Sequence, residues 1–132
     1  MKISTQSYYG LRALVRLAKE KRVCSAKEIA SQERLPRQYL EKIFQKLKKA
    51  GFLLSTKGAA GGYSLTRKPG KIKIGQLISA LEGKIVSTPC LVVSQSLTCP
   101  IEKRCLSKNL WQKMEKAVER AINSISLTEL IK

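Results

Sequence analysis

The sequence lacks histidine altogether, and it contains few aromatic residues. The absence of histidine excludes serine or cysteine catalysis with a histidine base, and every zinc site that uses a histidine ligand. Aromatic residues make up only 5% of the chain, which argues against the stacking surfaces that bind single-stranded nucleic acid. The sequence shows neither paired carboxylates nor a nucleotide-binding loop. We therefore expect a protein that is not an enzyme and has no small-molecule substrate.

Long hydrophobic runs are also missing. No apolar segment approaches the roughly 20 residues that a transmembrane helix needs. Near the N-terminus, Arg12, Arg16 and Lys19 interrupt the apolar residues that a signal peptide would require. We therefore expect no membrane association and a cytoplasmic location. In that reducing compartment, four cysteines favour metal or redox chemistry over structural disulfides.

Acidic residues are scarce compared with basic ones. The chain has 26 Lys and Arg against 9 Asp and Glu, a net charge of +17. Residues 1–70 contain 16 basic and 4 acidic side chains, a net charge of +12, whereas residues 71–132 contain 10 and 5, a net charge of +5. This asymmetry favours a polyanionic partner, DNA or RNA. A solvated lysine-rich surface is the alternative interpretation.

The spacing of apolar residues predicts a mainly α-helical chain with a small β-hairpin. In order, we expect helices over residues 5–20, about 26–32 and about 36–50, strands over 52–56 and 63–66, a short helix from about 74 to Gly83, and a long helix over about 105–125. The glycine-rich residues 57–62 would form the hairpin tip.

Local signals place several helix ends. Ser25 and Glu28 have the spacing of a capping box at the start of the second helix. Pro36 suits the first position of the third helix, where its missing N–H costs nothing. In the first helix, Leu11, Leu14, Val15 and Ala18 predict the buried side. Ser126 and Glu129 form a second capping box, which predicts a short final helix.

Two short helices, a three-residue connector and a hairpin describe a winged helix-turn-helix. Side chains near the start of the third helix would reach base edges in the major groove, because Arg and Lys suit guanine, Gln suits adenine and Glu accepts from cytosine. The predicted DNA-binding residues are Arg37, Gln38, Tyr39, Glu41, Lys42, Lys46, Lys57 and Gly58. Among these, Lys46 is better placed for phosphates, and Lys57 and Gly58 belong to the hairpin tip.

The C-terminal part divides into a loop and a helix. Residues 84–104 show no period and contain two prolines, which predicts a functional loop. The long helix carries apolar residues at the alternating spacing of three and four that is typical of a coiled-coil seam. This seam predicts a homodimer interface formed by Trp111, Met114, Val118, Ala121 and Ile125. We therefore expect a DNA-binding domain over 1–83, a cysteine-bearing sensor loop over 84–104, and a dimerisation helix and tail over 105–132.

Three cysteines, Cys90, Cys99 and Cys105, lie in or beside this loop. Thiolates without histidine favour a soft metal or an iron–sulfur cluster. A thiol switch and inert buried thiols are the alternatives. Cys24 lies between helices in the DNA-binding half, and we interpret it as structural.

The chain resembles the Rrf-type iron–sulfur transcriptional regulators over nearly its whole length. The resemblance is carried by the opening Met1-Lys2-Ile3-Ser4, Tyr39-Leu40-Glu41-Lys42, the glycine-rich segment ending at Tyr63, Leu81-Glu82-Gly83, the three cysteines and Leu110-Trp111. The resemblance implies a homodimer joined by its C-terminal helices. It also implies that Cys90, Cys99 and Cys105 hold a [4Fe–4S] or [2Fe–2S] cluster, one per subunit, and that Gln38, Tyr39, Glu41, Lys42 and Lys57 contact DNA.

The chain departs from parts of the family at the fourth ligand. Where one branch has a histidine three residues after the last cysteine, this chain has Lys108, and where another has an N-terminal acid it has Tyr8. The fourth ligand and the cluster type are therefore unassigned.

We expect a sequence-specific transcriptional regulator, a repressor in our interpretation, that binds a palindromic operator and responds to iron, redox state or nitric oxide through its cluster. The family also contains a cluster-free repressor of cysteine metabolism, so control by thiols or by a protein partner is an alternative. A basic RNA-binding module is a further alternative.

Overall fold

The computed structural model describes residues 2–83 and 100–132 of the chain. The helices are α1 (Thr5–Glu20), α2 (Ala26–Glu33), α3 (Arg37–Lys49), α4 (Ile74–Glu82), α5 (Lys108–Ser124) and α6 (Leu127–Leu130). Strands β1 (Leu53–Thr56) and β2 (Gly62–Leu65) form one antiparallel hairpin, and 3-10 turns occupy Pro69–Lys71 and Glu102–Arg104. The mainly α-helical fold with a two-stranded wing is therefore confirmed.

Helix α3 contributes the centre of the hydrophobic core. Its side chains Leu40, Ile43, Phe44 and Leu47 are all at most 1% exposed. The predicted apolar period of this helix is therefore correct. Full burial of side chains of this size contributes roughly 1.5–3 kcal/mol each to stability, which fixes the rotation of α3 about its axis.

Helix α1 buries the predicted side in part. Leu14 and Ala18 are buried as predicted, whereas Leu11 and Val15 are only half-buried and Leu17 is 2% exposed. Gly10 is also buried, and a Cβ atom there would lie 2.7 Å from Cδ1 of Leu81. The missing side chain at Gly10 therefore lets α4 approach the buried side of α1 closely.

The wing is held by its register and by one additional bridge. Leu53 pairs with Leu65 and Thr56 with Gly62. Near the tip end of β2, the Tyr63 N–H donates to the Cys24 carbonyl at 2.7 Å, and the Cys24 N–H donates to the Tyr63 carbonyl at 3.0 Å. The hairpin is therefore attached to the segment that precedes α2.

The C-terminal helix begins later than expected, at Lys108 instead of about 105. Cys105 has extended backbone angles (φ −71°, ψ 117°), so the helix cannot include it. The chain after α5 returns to the N-terminal part of the fold, where the Ile74 N–H donates to the Ile125 carbonyl and the Leu127 N–H to the Ile72 carbonyl. Leu127 is fully buried in the same core as α1–α4.

The expected capping box opens α6, since the Ser126 N–H donates to the Glu129 carboxylate at 3.2 Å. Within residues 2–83 and 100–132, no helix is both long and apolar enough to cross a membrane.

Gly62 provides a test of the wing attachment. Its φ is +155°, and an added Cβ atom would overlap the Cys24 carbonyl. We expect Gly62→Ala to lower the free energy of unfolding by roughly 2–4 kcal/mol, through backbone strain and displacement of the wing. Chemical denaturation measures this loss. Gly58→Ala is the matched control: φ there is +108° but the space is open, so a loss of only about 1 kcal/mol is expected. Equal losses in the two variants would contradict the close approach at Gly62.

Candidate DNA interface and cysteine segment

The turn between α2 and α3 is held by an ion-pair cluster. Arg16 Nε donates to Glu33 Oε2 at 2.9 Å, and Arg12 lies 3.5 Å from Glu33 Oε1. The Arg12 guanidinium also donates to the Glu33 carbonyl at 2.6 Å. Arg34 then adopts a left-handed conformation (φ 54°), and Leu35 turns into the core. Two arginines of α1 therefore fix the geometry of the helix-turn-helix.

The start of α2 differs in part from the predicted capping box. The Ser25 hydroxyl accepts the Glu28 N–H at 3.0 Å, as expected for an N-cap. The Glu28 carboxylate instead pairs with the Arg22 guanidinium. The charge-assisted bond to Arg22 is stronger than a bond to a neutral amide, so it takes the carboxylate.

Helix α3 presents most of the predicted base-reading residues to solvent. Pro36 is the N-cap (φ −62°, ψ 121°), one position before the place predicted for it, and the helix begins at Arg37. Arg37, Gln38 and Lys42 are exposed, and Glu41 is half-buried. Arg37 Nε donates to Glu41 Oε1 at 3.1 Å, one helical turn away. Because about half of each side chain is in contact with solvent, this pair adds little stability, and its main effect is to orient Arg37.

Tyr39 packs against helix α1. Its ring meets that of Tyr9 edge to face at 5.8 Å, and 36% of the residue is exposed. One part of Tyr39 therefore supports α3, and the hydroxyl end remains available for a polar contact.

An open groove of about 580 Å³ lies between the polar side of α3 and the wing. Its lining combines cationic, amide, carboxylate and phenol groups, all of which can hydrogen-bond to base edges or phosphates. The lining residues are Gln38, Glu41, Lys42, Gln45, Lys46, Lys49 and Tyr63. The structure thus brings four of the eight predicted DNA-binding residues together in one groove.

Gln45 and Tyr63 were missed as site residues. The Gln45 amide donates to the Tyr63 hydroxyl at 2.8 Å, and the Tyr63 ring lies 4.9 Å from that of Phe44. Together these contacts set the angle between wing and recognition helix. The only signal in the sequence was that Tyr63 follows a glycine-rich tip, which does not show where the hydroxyl goes.

The wing tip carries two further predicted residues, Lys57 and Gly58, and both are exposed. Gly58 has φ +108°, a conformation that favours glycine, and its carbonyl accepts the Gly61 N–H at 3.0 Å. The tip is therefore a tight turn that presents Lys57 and backbone groups to solvent, outside the α3 groove.

Lys46 lines the groove, but its ammonium group is used within the protein. Lys46 Nζ donates to the Leu81 carbonyl at 2.9 Å, at the C-terminal end of α4. The sequence predicts a phosphate contact for this exposed residue, and that contact stays a prediction. The bond to Leu81 forms because α4 packs beside α3, an arrangement that the periodicity of α3 does not reveal.

Of the three predicted cluster ligands, only Cys105 belongs to the described residues; Cys90 and Cys99 lie outside them. The Cys105 side chain is partly exposed, and its Sγ lies 3.3 Å from the Ser107 hydroxyl. Hydrogen bonds from Ser107 lower the pKa of the Cys105 thiol, which favours the thiolate that metals bind. Among the described residues, no group of three or more cysteine or carboxylate side chains could hold a metal.

Cys24 has a different environment. It is 1% exposed, and its Sγ donates to the Arg22 carbonyl at 3.6 Å. Burial raises the pKa of the Cys24 thiol, so the thiol stays protonated. These features agree with the structural role expected for it.

Helix α5 has an apolar side but no buried residue. Trp111, Met114 and Val118 are half-buried, and Ala121 is exposed. The Trp111 Nε1–H donates to the Ser107 hydroxyl at 3.1 Å. Ile125, the last residue of the predicted seam, is the C-cap of α5 and packs partly against the core of its own chain.

Exposed apolar residues continue before and along the start of α5. Leu106 is fully exposed, and Leu110 is 52% exposed. The first three turns of α5 therefore have an apolar surface, and the other described residues leave it partly exposed to solvent.

These features define a winged helix-turn-helix DNA-binding protein, and comparison with known proteins identifies its family. Residues 3–132 match the Rrf2 family of iron-dependent transcriptional regulators. The chain belongs to the Rrf2 family and is a DNA-binding transcriptional regulator. Its relatives are regulators and not enzymes, which confirms the expectation that it is not an enzyme.

Individual relatives span nearly the whole chain. The chain is 35% identical to protein rrf2 of Nitratidesulfovibrio vulgaris, over all of this chain and 88% of that protein. It is similar in structure to CymR, the global cysteine regulator of B. subtilis, with a TM-score of 0.81, 34% identity, and 99% and 96% of the two chains covered. It is also similar to T. potens IscR, with a TM-score of 0.79, 34% identity, and 99% and 86% covered.

Proposed function

We propose that this protein is a homodimeric regulator that binds a palindromic DNA operator in the cytoplasm and is controlled by an iron–sulfur cluster. The observation that carries the DNA-binding mode is the groove beside the exposed polar side of α3, with a wing anchored at its edge. A helix of this kind fits the major groove of B-DNA, where its first turns meet base edges.

The base contacts are assigned to the start of α3. Gln38 suits adenine, and Arg37, oriented by Glu41, suits guanine. Lys42 and Lys57 extend the positive surface toward the phosphates on either side. The net charge of +12 on residues 1–70 favours this approach to a polyanion before any specific contact forms.

Two recognition helices are needed to read a palindrome, and the exposed apolar side of α5 supports a dimer. A 17-residue amphipathic helix without a buried residue costs free energy in water unless a second surface covers it. The same surface on a second copy is self-complementary, as in a twofold interface. Half-sites would lie about one turn of DNA (~34 Å) apart.

Cys90, Cys99 and Cys105 would hold the cluster. Sulfur donors suit iron–sulfur chemistry, and Cys105 is accessible directly before α5. A bound cluster supplies a group that oxygen, nitric oxide or iron shortage can remove. If the cluster binds one conformation of the dimer more tightly than another, it shifts the population toward that conformation. The spacing of the two recognition helices would then change through α4 and α5.

The similarity to CymR, a cysteine regulator, favours a second candidate. In this alternative, thiol oxidation or a protein partner controls DNA binding, and the same cysteines respond without iron.

The DNA-binding mode is tested by selecting operators from random duplexes and measuring affinity at several salt concentrations. We expect Gln38→Ala to relax the preference at one base pair by roughly 10-fold or more, because a base contact is lost. Lys57→Ala should instead weaken all duplexes equally and reduce the salt slope by about 0.9, because a phosphate contact is lost. If wild-type protein selects no sequence, the basic RNA-binding module becomes the better account.

The dimer is tested by Val118→Glu, which places two carboxylates in the proposed interface. We expect at least roughly 100-fold weaker association by sedimentation equilibrium, because charges buried without partners are costly. Lys116→Glu is the matched control: it also introduces a carboxylate, at an exposed position on the other side of α5. If Val118→Glu remained as dimeric as this control, the interface would lie elsewhere.

The cluster is tested by anaerobic reconstitution with iron and sulfide, followed by absorption spectroscopy and iron and sulfide counting. We expect the wild type and Cys24→Ala to bind iron, and Cys105→Ser to lose it, because Cys24 is buried and its thiol already donates to the Arg22 carbonyl. A colourless, iron-free wild type would refute the cluster. Operator binding that then differs between oxidised and reduced protein would support the thiol-controlled alternative.

A further inference from the structure

The C-terminal end of α4 is a meeting point of three helices. Lys46 of α3 donates to the Leu81 carbonyl, and the Ser4 N–H and hydroxyl at the start of α1 donate to the Glu82 carboxylate at 3.3 and 2.9 Å. The Leu81 side chain is 2% exposed and fills the space beside Gly10. This end of α4 is therefore fixed to both other helices.

The bond from Lys46 satisfies a specific electrostatic need. The last carbonyls of an α-helix have no partner within the helix, and they form the negative end of its dipole. A lysine ammonium is a favourable partner for such a carbonyl, and the charge shortens and strengthens the hydrogen bond. Lys46 belongs to the polar side of α3 that lines the groove, so the bond joins the end of α4 to the recognition helix.

The neighbouring lysines provide a comparison. Lys42 and Lys49 lie about one turn before and after Lys46, and all three line the same groove. A lysine that binds a phosphate needs an ammonium group that can leave the protein surface. The Lys46 ammonium is held 2.9 Å from a backbone carbonyl, which makes it the poorest of the three for that role.

We propose that Lys46 is a positioning residue: its bond to the Leu81 carbonyl sets the angle of α3 relative to α4, and thereby sequence discrimination. Where the proposed control by a cluster also holds, the same bond carries the effect of the cluster from the end of α4 to α3. The second statement rests on the proposed function, whereas the first does not.

The test compares Lys46→Met with Lys49→Met in the full-length protein. Each variant removes one ammonium group from the same groove and keeps an unbranched side chain. Affinities are measured for the duplex that wild-type protein selects and for a scrambled duplex, over a range of salt concentrations. Lys49→Met should weaken both duplexes similarly and reduce the salt slope by about 0.9, as expected for one lost phosphate contact.

For Lys46→Met we expect a different result. The salt slope should stay at the wild-type value, while affinity for the selected duplex falls roughly 10-fold and that for the scrambled duplex changes little. Lys46→Arg, which keeps a charged donor, should recover most of the discrimination. A reduced slope with equal losses on both duplexes would show that Lys46 is a phosphate contact and would overturn the proposal. Wild-type affinity of Lys46→Met for both duplexes would also overturn it.

The second statement, that this bond carries the effect of the cluster to α3, is tested with cluster-reconstituted and iron-free protein. The ratio of operator affinities between these two forms should fall toward one in Lys46→Met and persist in Lys49→Met. A ratio that persists in Lys46→Met would overturn the second statement alone. If wild-type protein binds no iron, the cluster hypothesis fails, and the salt-slope comparison still decides the role of Lys46. Should Lys46→Met fail to fold, Lys46→Arg and Lys46→Gln carry the same comparison.

Discussion

Burial of one side of α3 is the constraint on which the rest of the DNA-binding half depends. Phe44 and its apolar neighbours are at most 1% exposed, so the helix cannot rotate without losing several kcal/mol. Its polar side must then face solvent. Every other contact refines this placement: the Arg12 and Arg16 pairs with Glu33 fix the turn before α3, and Tyr63 fixes the wing beside it.

The same core ties the C-terminal tail to the DNA-binding half. Leu127 is fully buried, and two backbone hydrogen bonds join the segments around residues 72–74 and 125–127. Helix α5 is therefore attached at its end and has no buried residue of its own. This arrangement leaves the apolar side of α5 without full cover from the described residues, while hydrogen bonds join the end of α5 to the start of α4.

The two described cysteines lie in different environments, which suit them to different roles that composition alone does not distinguish. Cys24 is buried, and burial raises the pKa of its thiol, whereas Cys105 is partly exposed beside Ser107, which lowers the pKa of its thiol. A buried neutral thiol serves packing, and an accessible thiolate can serve as a ligand or react. The chain belongs to the Rrf2 family of iron-dependent transcriptional regulators, and it is similar to CymR, the global cysteine regulator of B. subtilis.

The sequence by itself determined the helices, the wing and the exposed side of α3, because apolar period, glycine and capping residues act over a few neighbours along the chain. It also identified the family, through motifs at Tyr39–Lys42 and Gly61–Tyr63. Only the tertiary structure decided contacts between distant segments. Gly10 lies against Leu81 of α4, the Glu28 carboxylate pairs with Arg22, and the Lys46 ammonium donates to a carbonyl of α4. These outcomes depend on which helix packs beside which, and a polar side chain binds the strongest partner that packing brings within reach.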